Sequence, residues 1–327
     1  MPPAGLLEPT AAGLYCPAGG FYIDPCRPVA RALITHAHAD HARPGSGAYL
    51  GSREGQRLLA RRLGYRAHLE SLDWGEVRTL GSVRVSLHPA GHILGSAQVR
   101  LERGGEVWVV SGDYKTEPDP TCSPFEPLRC DLFVTEATFA RPVFRWPPQA
   151  EVLAEALSWW RGNAEAGRWS VLLAYSLGKA QRLLAGLGGG PGPIWVHPAI
   201  HAVNQDYRQS GIRLPPAYHP PNTPRDSTAL VLAPPGAPGS EWLSRFRGAA
   251  RAFASGWMLL ADEAGRRGVE RGFVLSDHAD WPGLQAAIRG TGAGRVWVTH
   301  GEGTELLDWL AGEGIEAEYL ARPDAPG

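Results

Sequence analysis

The sequence is poor in cysteine, with four in 327 residues: Cys16, Cys26, Cys122 and Cys130. No two of them have the C-x-x-C spacing that is typical of a zinc ribbon or a redox pair. A disulfide framework is characteristic of small secreted domains, which carry far more cysteine per residue. We therefore expect four reduced thiols with structural roles.

Long apolar runs and excess charge are also lacking. No stretch approaches the roughly 18 apolar residues of a membrane-spanning helix, and the opening MPPAGLLEPTAAG has neither the basic segment nor the apolar run of a secretory signal. The formal net charge is −1, which argues against a polycation that coats nucleic acid and leaves any such contact to a local patch. We expect a cytoplasmic protein.

What the sequence does contain is short apolar runs that alternate with amphipathic segments. Strands are predicted over residues 31–35, 106–111, 132–135, 170–174, 271–275 and 295–299. Helices are predicted over residues 151–160, 179–187 and 304–310. This alternation predicts α/β layers rather than a β-sandwich or a helical bundle. The proline-rich stretch 141–149 cannot continue a helix or a central strand, and it predicts a domain boundary.

Histidine and aspartate are concentrated in ITHAHADH, directly after the first predicted strand. A single histidine is more often a hydrogen-bonded core residue than a ligand, but four such side chains fall within six positions here. Imidazole and carboxylate are the ligands that zinc-type cations prefer. The spacing predicts that His36 and His38 bind one ion, and that Asp40 and His41 reach a second.

Three further candidate ligands follow other predicted strands. His92 lies in the glycine-flanked HPAGHILGS, Asp113 ends the strand in VWVVSGDYK, and His300 ends the strand in VWVTHGEG. Asp113 is placed to bridge two ions. His88, four residues before His92, is expected only to line the site. Together with ITHAHADH, these residues supply the six or seven ligands that a two-metal site needs.

HAHADH, GHILGS, SGDYK and the late histidine resemble the metallo-β-lactamase fold, an αββα sandwich with metal ions at one edge of its sheets. YSLGKAQRLL, SGWM, SDHADW and VTHGE are similar to its β-CASP branch, which consists of nucleases with an inserted α/β domain. LYCPAGGFYIDP followed by ITHAHADHARPGS resembles the bacterial DNA exonucleases of this branch that are associated with DNA ligases. The resemblance implies a metallo-β-lactamase domain in two parts, residues 1–141 and 265–327, around a β-CASP domain at 142–264.

The resemblance also implies roles for individual residues. His36, His38 and His92 would hold a first divalent cation, and Asp40, His41 and His300 a second, with Asp113 bridging them. Both ions would be Zn²⁺, or one of them Mn²⁺. The catalytic residues would be His278, as proton donor, with Glu136 and Asp40, while Asp24 would support the ligands from behind. Contacts to the substrate phosphate would come from Lys115, Thr138 and Ser276.

The activity implied is two-metal hydrolysis of DNA from an end, in DNA repair. Partnership with a DNA ligase and a helicase follows from the resemblance only. RNA processing is the alternative, because RNA-acting β-CASP enzymes commonly carry histidine at the position of His300. A silent scaffold is disfavoured because every expected ligand is present. A thioesterase or lactonase is disfavoured because such enzymes lack the insertion and the histidine of SDHADW.

Three surface features leave alternatives open. Arg53, Arg57 and Arg61 are four residues apart and would share a helix face, which could follow phosphates or simply be solvated. Trp146 could stack on a base, although core packing is the better interpretation. His197 and His201 in VHPAIH have metal-like spacing, but they fall in the inserted domain, and we interpret them as structural.

Overall fold

The computed structural model describes residues 5–219 and 227–321. Two compact units divide the chain: one runs to Val143 and resumes at His278, and the other spans Phe144–Asp277. The predicted return to the first domain at residue 265 differs from this division. Residues 271–273 form a strand that pairs with Ala252–Ala254 in the sheet of the second unit, so the return comes only after Asp277.

The first unit contains two sheets. The strands of the first sheet, in spatial order, are β1 (Glu8–Thr10), β2 (Gly13–Cys16), β3 (Phe21–Ile23), β4 (Arg31–Leu33), β5 (Ala48–Ser52) and β6 (Leu69–Leu72). The second sheet contains β7 (Arg78–Leu80), β8 (Val83–Pro89), β9 (Ala97–Arg103), β10 (Glu106–Val110) and β11 (Leu132–Ala137). Two strands from the end of the chain, described below, complete the second sheet. In spatial order β7 lies at one edge of this sheet, and the final strand of the described chain lies at the other.

The chain passes through the second unit before it completes the first. The second unit contains β12 (Ser170–Leu173), β13 (Ile194–Val196), β14 (Leu230–Ala233), β15 (Ala250–Ala254) and β16 (Arg271–Phe273). The first unit is then completed by β17 (Arg295–Gly301), which pairs with β11, and by β18 (Glu316–Tyr319), which pairs with β17.

The helices of the first unit are α1 (Gln56–Leu63), followed after the second unit by α7 (Trp281–Thr291) and α8 (Thr304–Gly312). Those of the second unit are α2 (Gln149–Glu165), α3 (Lys179–Gly186), α4 (Pro198–Gln209), α5 (Glu241–Ser244), a 3₁₀ turn at Gly256–Leu259, and α6 (Glu263–Arg266). Among the residues described, no helix combines the length and the apolar character needed to cross a bilayer.

The apolar faces of the two sheets of the first unit pack against each other. Phe21 and Leu33 from one sheet share a core with Val85, Val99 and Trp108 from the other. The outer face of the second sheet is covered by α7 and α8, and α1 buries its leucines against the first sheet. The layers are therefore helix, sheet, sheet and helix, the αββα sandwich that the sequence predicted.

The second unit is built on a parallel sheet with the order β13-β14-β12-β15-β16. Its central strand β12, SVLL, is buried at every position, as expected for a parallel strand covered on both faces. Trp160, Leu183 and Ile200 from α2, α3 and α4 pack in one core. Leu243 and Phe246 pack in another. The inserted unit is thus an α/β layer structure.

Strand direction brings the candidate site of the first unit to one edge. β10, β11 and β17 are mutually parallel, so the segments that leave their carboxyl ends emerge on the same side. β9 runs antiparallel to both β8 and β10, with Ala97 opposite Pro89 and Val99 opposite Val110. The loop that joins β8 to β9 therefore lies at the same edge.

Candidate metal centre

The HAHADH segment leaves β4 as a loop that folds back on itself. The amide groups of His41 and Ala42 both donate to the carbonyl of His38, at 3.2 and 2.8 Å. This single tight turn returns Asp40 and His41 toward the side chains that precede them. Residues close together in the sequence thus reach two neighbouring groups of side chains.

The loop after β8 is held by the hydroxyl group of Ser96 and by the close approach of Gly91 to a neighbouring segment. Ser96 Oγ accepts from the amides of His92 and Ile93, at 3.0 and 3.2 Å. Gly91 has φ of +74°, and a Cβ at that position would lie 2.3 Å from the carbonyl oxygen of Lys115. Only glycine permits this close approach, which fixes His92 against the segment that carries Asp113.

Three imidazole nitrogens converge in a first group. Nε2 of His36 lies 3.2 Å from Nδ1 of His38, and Nε2 of His92 lies 3.0 Å from the same atom. Asp113 Oδ2 is 3.5 Å from Nε2 of His36 and 3.9 Å from Nε2 of His92. Ligating atoms of all four residues lie within 4.8 Å of one another.

A second group lies on the other side of Asp113. Its Oδ1 is 3.4 Å from Nε2 of His41 and 3.7 Å from Nδ1 of His300. Oδ2 of Asp40 lies 3.4 Å from Nε2 of His41 and 3.7 Å from Nε2 of His300. The two oxygens of Asp113 thus face different groups of imidazoles. A cavity of about 90 Å³ borders the second group.

An irregularity in β17 places the side chain of His300 in the second group. The register with β11 shifts between Glu136 and Ala137, so that Ala137 pairs with Gly301 and His300 is passed over. His300 itself has φ of +57°. A non-glycine residue in the left-handed region is uncommon and tends to occur at functional sites. The bulge redirects His300 from the strand toward Asp113.

Asp24 supports the ligand groups from behind. Its Oδ1 accepts from the amide of Thr35 at 2.8 Å, and its Oδ2 accepts from the hydroxyl of Thr35 at 2.6 Å and from Nδ1 of His41 at 2.7 Å. The Thr35 hydroxyl also lies 3.1 Å from Nδ1 of His36. Thr35 was not predicted as a site residue. In the sequence, the only signal for it is its position between the strand and the first histidine.

The pKa values of His36, His41 and Asp113 are shifted by burial and by neighbouring charges. Burial, reinforced by the neighbouring His41, holds the pKa of His36 well below its usual range. Burial also lowers the pKa of His41, but the carboxylates of Asp113 and Asp24 outweigh it and hold that pKa well above its usual range. Burial raises the pKa of Asp113, and the charges of His300 and His41 reverse this, leaving it well below its usual range.

These residues fit a divalent cation. Nε2 of His41 and Oδ1 of Asp113 are buried and 3.4 Å apart, but they are not aligned as a hydrogen bond, although buried polar atoms almost always make one. Nitrogen atoms bound to one zinc ion at about 2.0–2.1 Å lie roughly 3–3.4 Å apart, close to the separations in the first group. Imidazole and carboxylate donors also match the preference of first-row divalent ions.

The buried Glu136 and the half-buried His278 form a pair beside the first group, and their donor atoms lie within 4.8 Å of those of Asp113. Oε2 of Glu136 lies 2.8 Å from Nδ1 of His278. Oε1 of Glu136 accepts from the amide of Tyr114 at 2.8 Å, and Oε2 accepts from the hydroxyl of Thr138. The imidazole of His278 packs against that of His92 with ring centres 4.6 Å apart. The contact of His278 with Glu136 is therefore made through Nδ1 and not through Nε2.

The three expected phosphate contacts have other partners. Nζ of the buried Lys115 is paired with Glu117 at 2.9 Å. The hydroxyl of Thr138 donates to Glu136. Ser276 belongs to the second unit, where its carbonyl accepts from Arg182 at 2.9 Å.

The other candidates from the sequence are mostly in structural settings. His88 lies 3.0 Å from both Ser86 and Glu126. Trp146 packs against Phe144. His197 caps α4 by accepting from the amide of Ala199. Arg53, which the sequence analysis placed on one helix face with Arg57 and Arg61, lies before α1 and pairs with Asp73.

No protein-family model matches the chain. A protein named probable DNA ligase from Opitutus terrae is 33% identical over 307 residues, which is 93% of this chain and 30% of that protein. An endoribonuclease ysh1 from Aspergillus fumigatus is 31% identical over 119 residues, 36% of this chain and 13% of that protein. A transcription termination factor FttA from Thermococcus kodakarensis is 30% identical over 165 residues, 45% of this chain and 25% of that protein.

The chain spans less than a third of the length of these relatives. A crystal structure of a protein of unknown function from Enterococcus faecalis V583 superposes with a TM-score of 0.62 at 13% identity, and covers 89% of this chain and 78% of that one. At that identity the likeness concerns the fold alone. The relatives, together with the sandwich, the insertion and the convergence of histidines and aspartates at one edge, identify the chain as a member of the metallo-β-lactamase superfamily, in its β-CASP branch.

Proposed function

We propose that the chain is a metal-dependent phosphodiesterase that hydrolyses DNA from an end. The observation that carries this proposal is Asp113, whose two oxygens face two separate groups of imidazoles at one edge of the sandwich. One carboxylate between two donor groups is the arrangement expected of a bridging ligand in a two-metal site. Such sites are frequent among phosphatases and nucleases.

In this proposal, His36, His38 and His92 hold one divalent cation, and Asp40, His41 and His300 hold the other, with Asp113 shared. The donor set favours Zn²⁺ at both positions, with Mn²⁺ as the alternative at one. When bound, such a pair supplies a water of lowered pKa and neutralises charge on the phosphoryl oxygens.

The protein's own residues orient the ligands and move the leaving-group proton. Asp24 and Thr35 fix the rings of His41 and His36, so that Nε2 of each faces Asp113. Glu136 binds Nδ1 of His278 and fixes the orientation of its ring. Nε2 of His278 then donates the proton that the departing sugar oxygen needs, a step that general acids accelerate by about 10²–10⁴-fold.

The proposal extends to DNA repair in the cytoplasm, with a DNA ligase and a helicase as partners. The named ligase relative, which matches over nearly the whole of this chain, supports the DNA substrate and the ligase partner. The free state of all four cysteines agrees with a reducing compartment. RNA is the second candidate substrate, since two of the relatives are named an endoribonuclease and a transcription termination factor.

The test is to incubate the purified chain with DNA and RNA strands of the same sequence, each labelled at one end. Zn²⁺, Mn²⁺ or a chelator is present in parallel reactions. Stepwise shortening of DNA that stops with the chelator supports the proposal. Shortening of RNA alone supports the second candidate. If neither strand is cut with either ion, the phosphodiesterase proposal is wrong.

A further inference from the structure

Two basic side chains of α3 are almost completely buried. Lys179 and Arg182 expose 4% and 2% of their surface, although lysine and arginine are rarely buried to this degree unless they are paired. Both belong to the segment YSLGKAQRLL, to which the proposed function gives no role. The contacts of these two side chains therefore indicate what the segment does.

The two side chains hold the residues that directly precede His278. Nζ of Lys179 lies 2.9 Å from Oδ1 of Asp277, and both side chains are buried. Nη1 of Arg182 donates to the backbone carbonyl of Ser276 at 2.9 Å. One contact is made to a side chain and one to the backbone, so α3 fixes the chain at two successive positions after β16. His278 is the next residue along the chain.

The start of α3 is itself fixed by buried amide groups. The amide of Gly178 donates to Oε1 of Gln181 at 2.8 Å. Nε2 of Gln181 donates to the carbonyl of Ser176 at 3.1 Å and to Oδ1 of Asn204, on α4, at 2.8 Å. Gly178 has φ of +87°, a conformation that favours glycine. Lys179, the first residue of α3, therefore starts from a backbone that is held in place.

Stability alone does not account for the ion pair of Lys179 and Asp277. Taking two charges out of water is costly, and replacement of a buried ion pair by apolar residues of similar size is often neutral or stabilising. Apolar neighbours are at hand, because Leu183 and Leu184 of the same helix pack in the core of the second unit. What the charged pair provides instead is a single, directed contact for the backbone that enters His278.

We propose that Lys179 and Asp277 are positioning residues for His278, and that their buried ion pair fixes the backbone from which the imidazole reaches Glu136. The contact of Nδ1 with Glu136, at 2.8 Å, fixes the ring of His278. The ion pair fixes the chain one residue before it. Displacement of a reacting group by about 1 Å can cost about 10²-fold in rate. The inference rests on the proposed function, from which it takes the role of His278 as proton donor.

Two variants separate positioning from stability. Lys179→Met removes the cation from the buried carboxylate of Asp277, a change that is strongly destabilising. Lys179→Met/Asp277→Leu removes both charges and should unfold at about the denaturant concentration of the wild type. If the pair served stability alone, this double variant would behave as the wild type in every other respect. It also decides the question if Lys179→Met does not fold.

Leu243→Ala is the matched control for a weakened second unit. Leu243 is buried in a core with Val171 and Leu173 of β12, whereas Leu183 of α3 packs with Leu172. Alternate residues of a strand face opposite sides of the sheet, so the cavity left by Leu243→Ala lies on the side away from α3. The variant should lose stability and leave His278 in position.

The first measurement follows the imidazole of His278 without turnover. In the full chain, loaded with Zn²⁺ and isotope-labelled at the histidine nitrogens, the proton between Nδ1 of His278 and the buried Glu136 should give an NMR signal that exchanges slowly with water. His278→Ala identifies this signal. We expect it to be lost in the double variant and kept in Leu243→Ala. A signal that survives in the double variant, or that is lost equally in Leu243→Ala, would overturn the inference.

The second measurement compares two substrates. A departing sugar oxygen needs a proton, whereas p-nitrophenolate leaves as an anion without one. The double variant should lower kcat on DNA by about 10²-fold with KM unchanged, and should hydrolyse bis(p-nitrophenyl) phosphate as the wild type does. Equal losses on both substrates, or no loss on DNA, contradict a positioning role.

Failure of this inference can be told from failure of the proposed function. A wild type that hydrolyses neither substrate, with the NMR signal lost in the double variant, refutes only the proposed function and leaves the anchoring of His278 established. A wild type that hydrolyses DNA, with the signal and the rate both unchanged in the double variant, refutes only the positioning by Lys179 and Asp277.

Discussion

Nδ1 of His41 donates to Oδ2 of Asp24 at 2.7 Å, and this contact decides which nitrogen of His41 faces Asp113. The carboxylate accepts at Nδ1, so Nε2 is the nitrogen turned toward Asp113, 3.4 Å from its Oδ1. Asp24 has φ of +44°, a left-handed backbone that aspartate adopts only at some cost. The ligand groups are thus oriented by a residue that does not itself face the ion positions.

Asp24→Asn should weaken metal binding while leaving the fold intact. Asparagine keeps one acceptor oxygen, so its NH2 group must face either the amide of Thr35 or the hydroxyl of Thr35 together with Nδ1 of His41, all of which need an acceptor. Losses of such supporting contacts typically cost about 10–100-fold in metal affinity or activity. Metal content after equilibration with a graded chelator measures the effect. Asp73→Asn, an exposed aspartate paired with Arg53, is the control, and an equal loss there would contradict the role given to Asp24.

Metal should stabilise the wild type and not Asp113→Ala. An ion that binds only the folded chain adds about 2.7 kcal/mol when its free concentration is 100 times its dissociation constant. For a unit of this size, that corresponds to a rise in Tm of about 5 °C or more. Asp113→Ala removes the carboxylate shared by both donor groups. We expect it to have low metal content, no Tm response to Zn²⁺ and no detectable cleavage. A full Tm response in this variant would contradict a shared ligand.

His278→Ala and Glu136→Gln should slow turnover without releasing metal. Both act on the leaving-group proton, so each should lower kcat by about 10²–10⁴-fold. Because Glu136 acts through His278, the double variant should be little slower than His278→Ala alone. Metal content by elemental analysis is the second readout. Loss of metal from His278→Ala, or additive effects in the double variant, would refute this division of roles.

Gly112→Ala should disrupt the site, whereas Gly104→Ala should only weaken the fold. Both glycines have left-handed backbones, with φ of +57° and +62°, so alanine costs about 1–2 kcal/mol at either position. A Cβ on Gly112 would also lie 2.8 Å from the side chain of Thr35, whereas one on Gly104 meets nothing within 4 Å. We expect equal losses of unfolding free energy from the backbone, with metal affinity reduced in Gly112→Ala alone. Unchanged metal affinity in Gly112→Ala would show that Thr35 tolerates displacement.

The parts that could be predicted from sequence are those whose cause is local. The residues of HAHADH are close together because they are neighbours in the sequence. Asp113 and His300 lie at or after the ends of apolar strands, and the apolar runs predict where those strands end. Short edge strands such as β1 (Glu8–Thr10) and β7 (Arg78–Leu80) were not predicted. Their residues are exposed or half-buried, so three positions show no alternation of apolar and polar side chains that would indicate a strand. They are defined by the strands with which they pair.

The remaining differences arise from contacts between distant segments. β16 is three residues long, and only its pairing with β15 assigns it to the second unit, which moves the boundary from 265 to 278. Lys115 pairs with Glu117, and Arg53 lies outside α1. Both depend on the geometry of turns, which the local sequence does not determine. The role of Thr35 depends on its hydrogen bond to Asp24, a contact between segments that the sequence does not predict.

The pair formed by Glu136 and His278 joins positions 142 residues apart, and the whole of the second unit lies in the loop between them. Ring closure across an unfolded stretch of that length has a larger entropic cost than closure across a folded body whose ends are already fixed. Unfolding of the inserted unit alone would therefore raise the entropic cost of holding His278 against Glu136. In the proposed mechanism, the position of the proton donor would therefore depend on the folded state of the inserted unit.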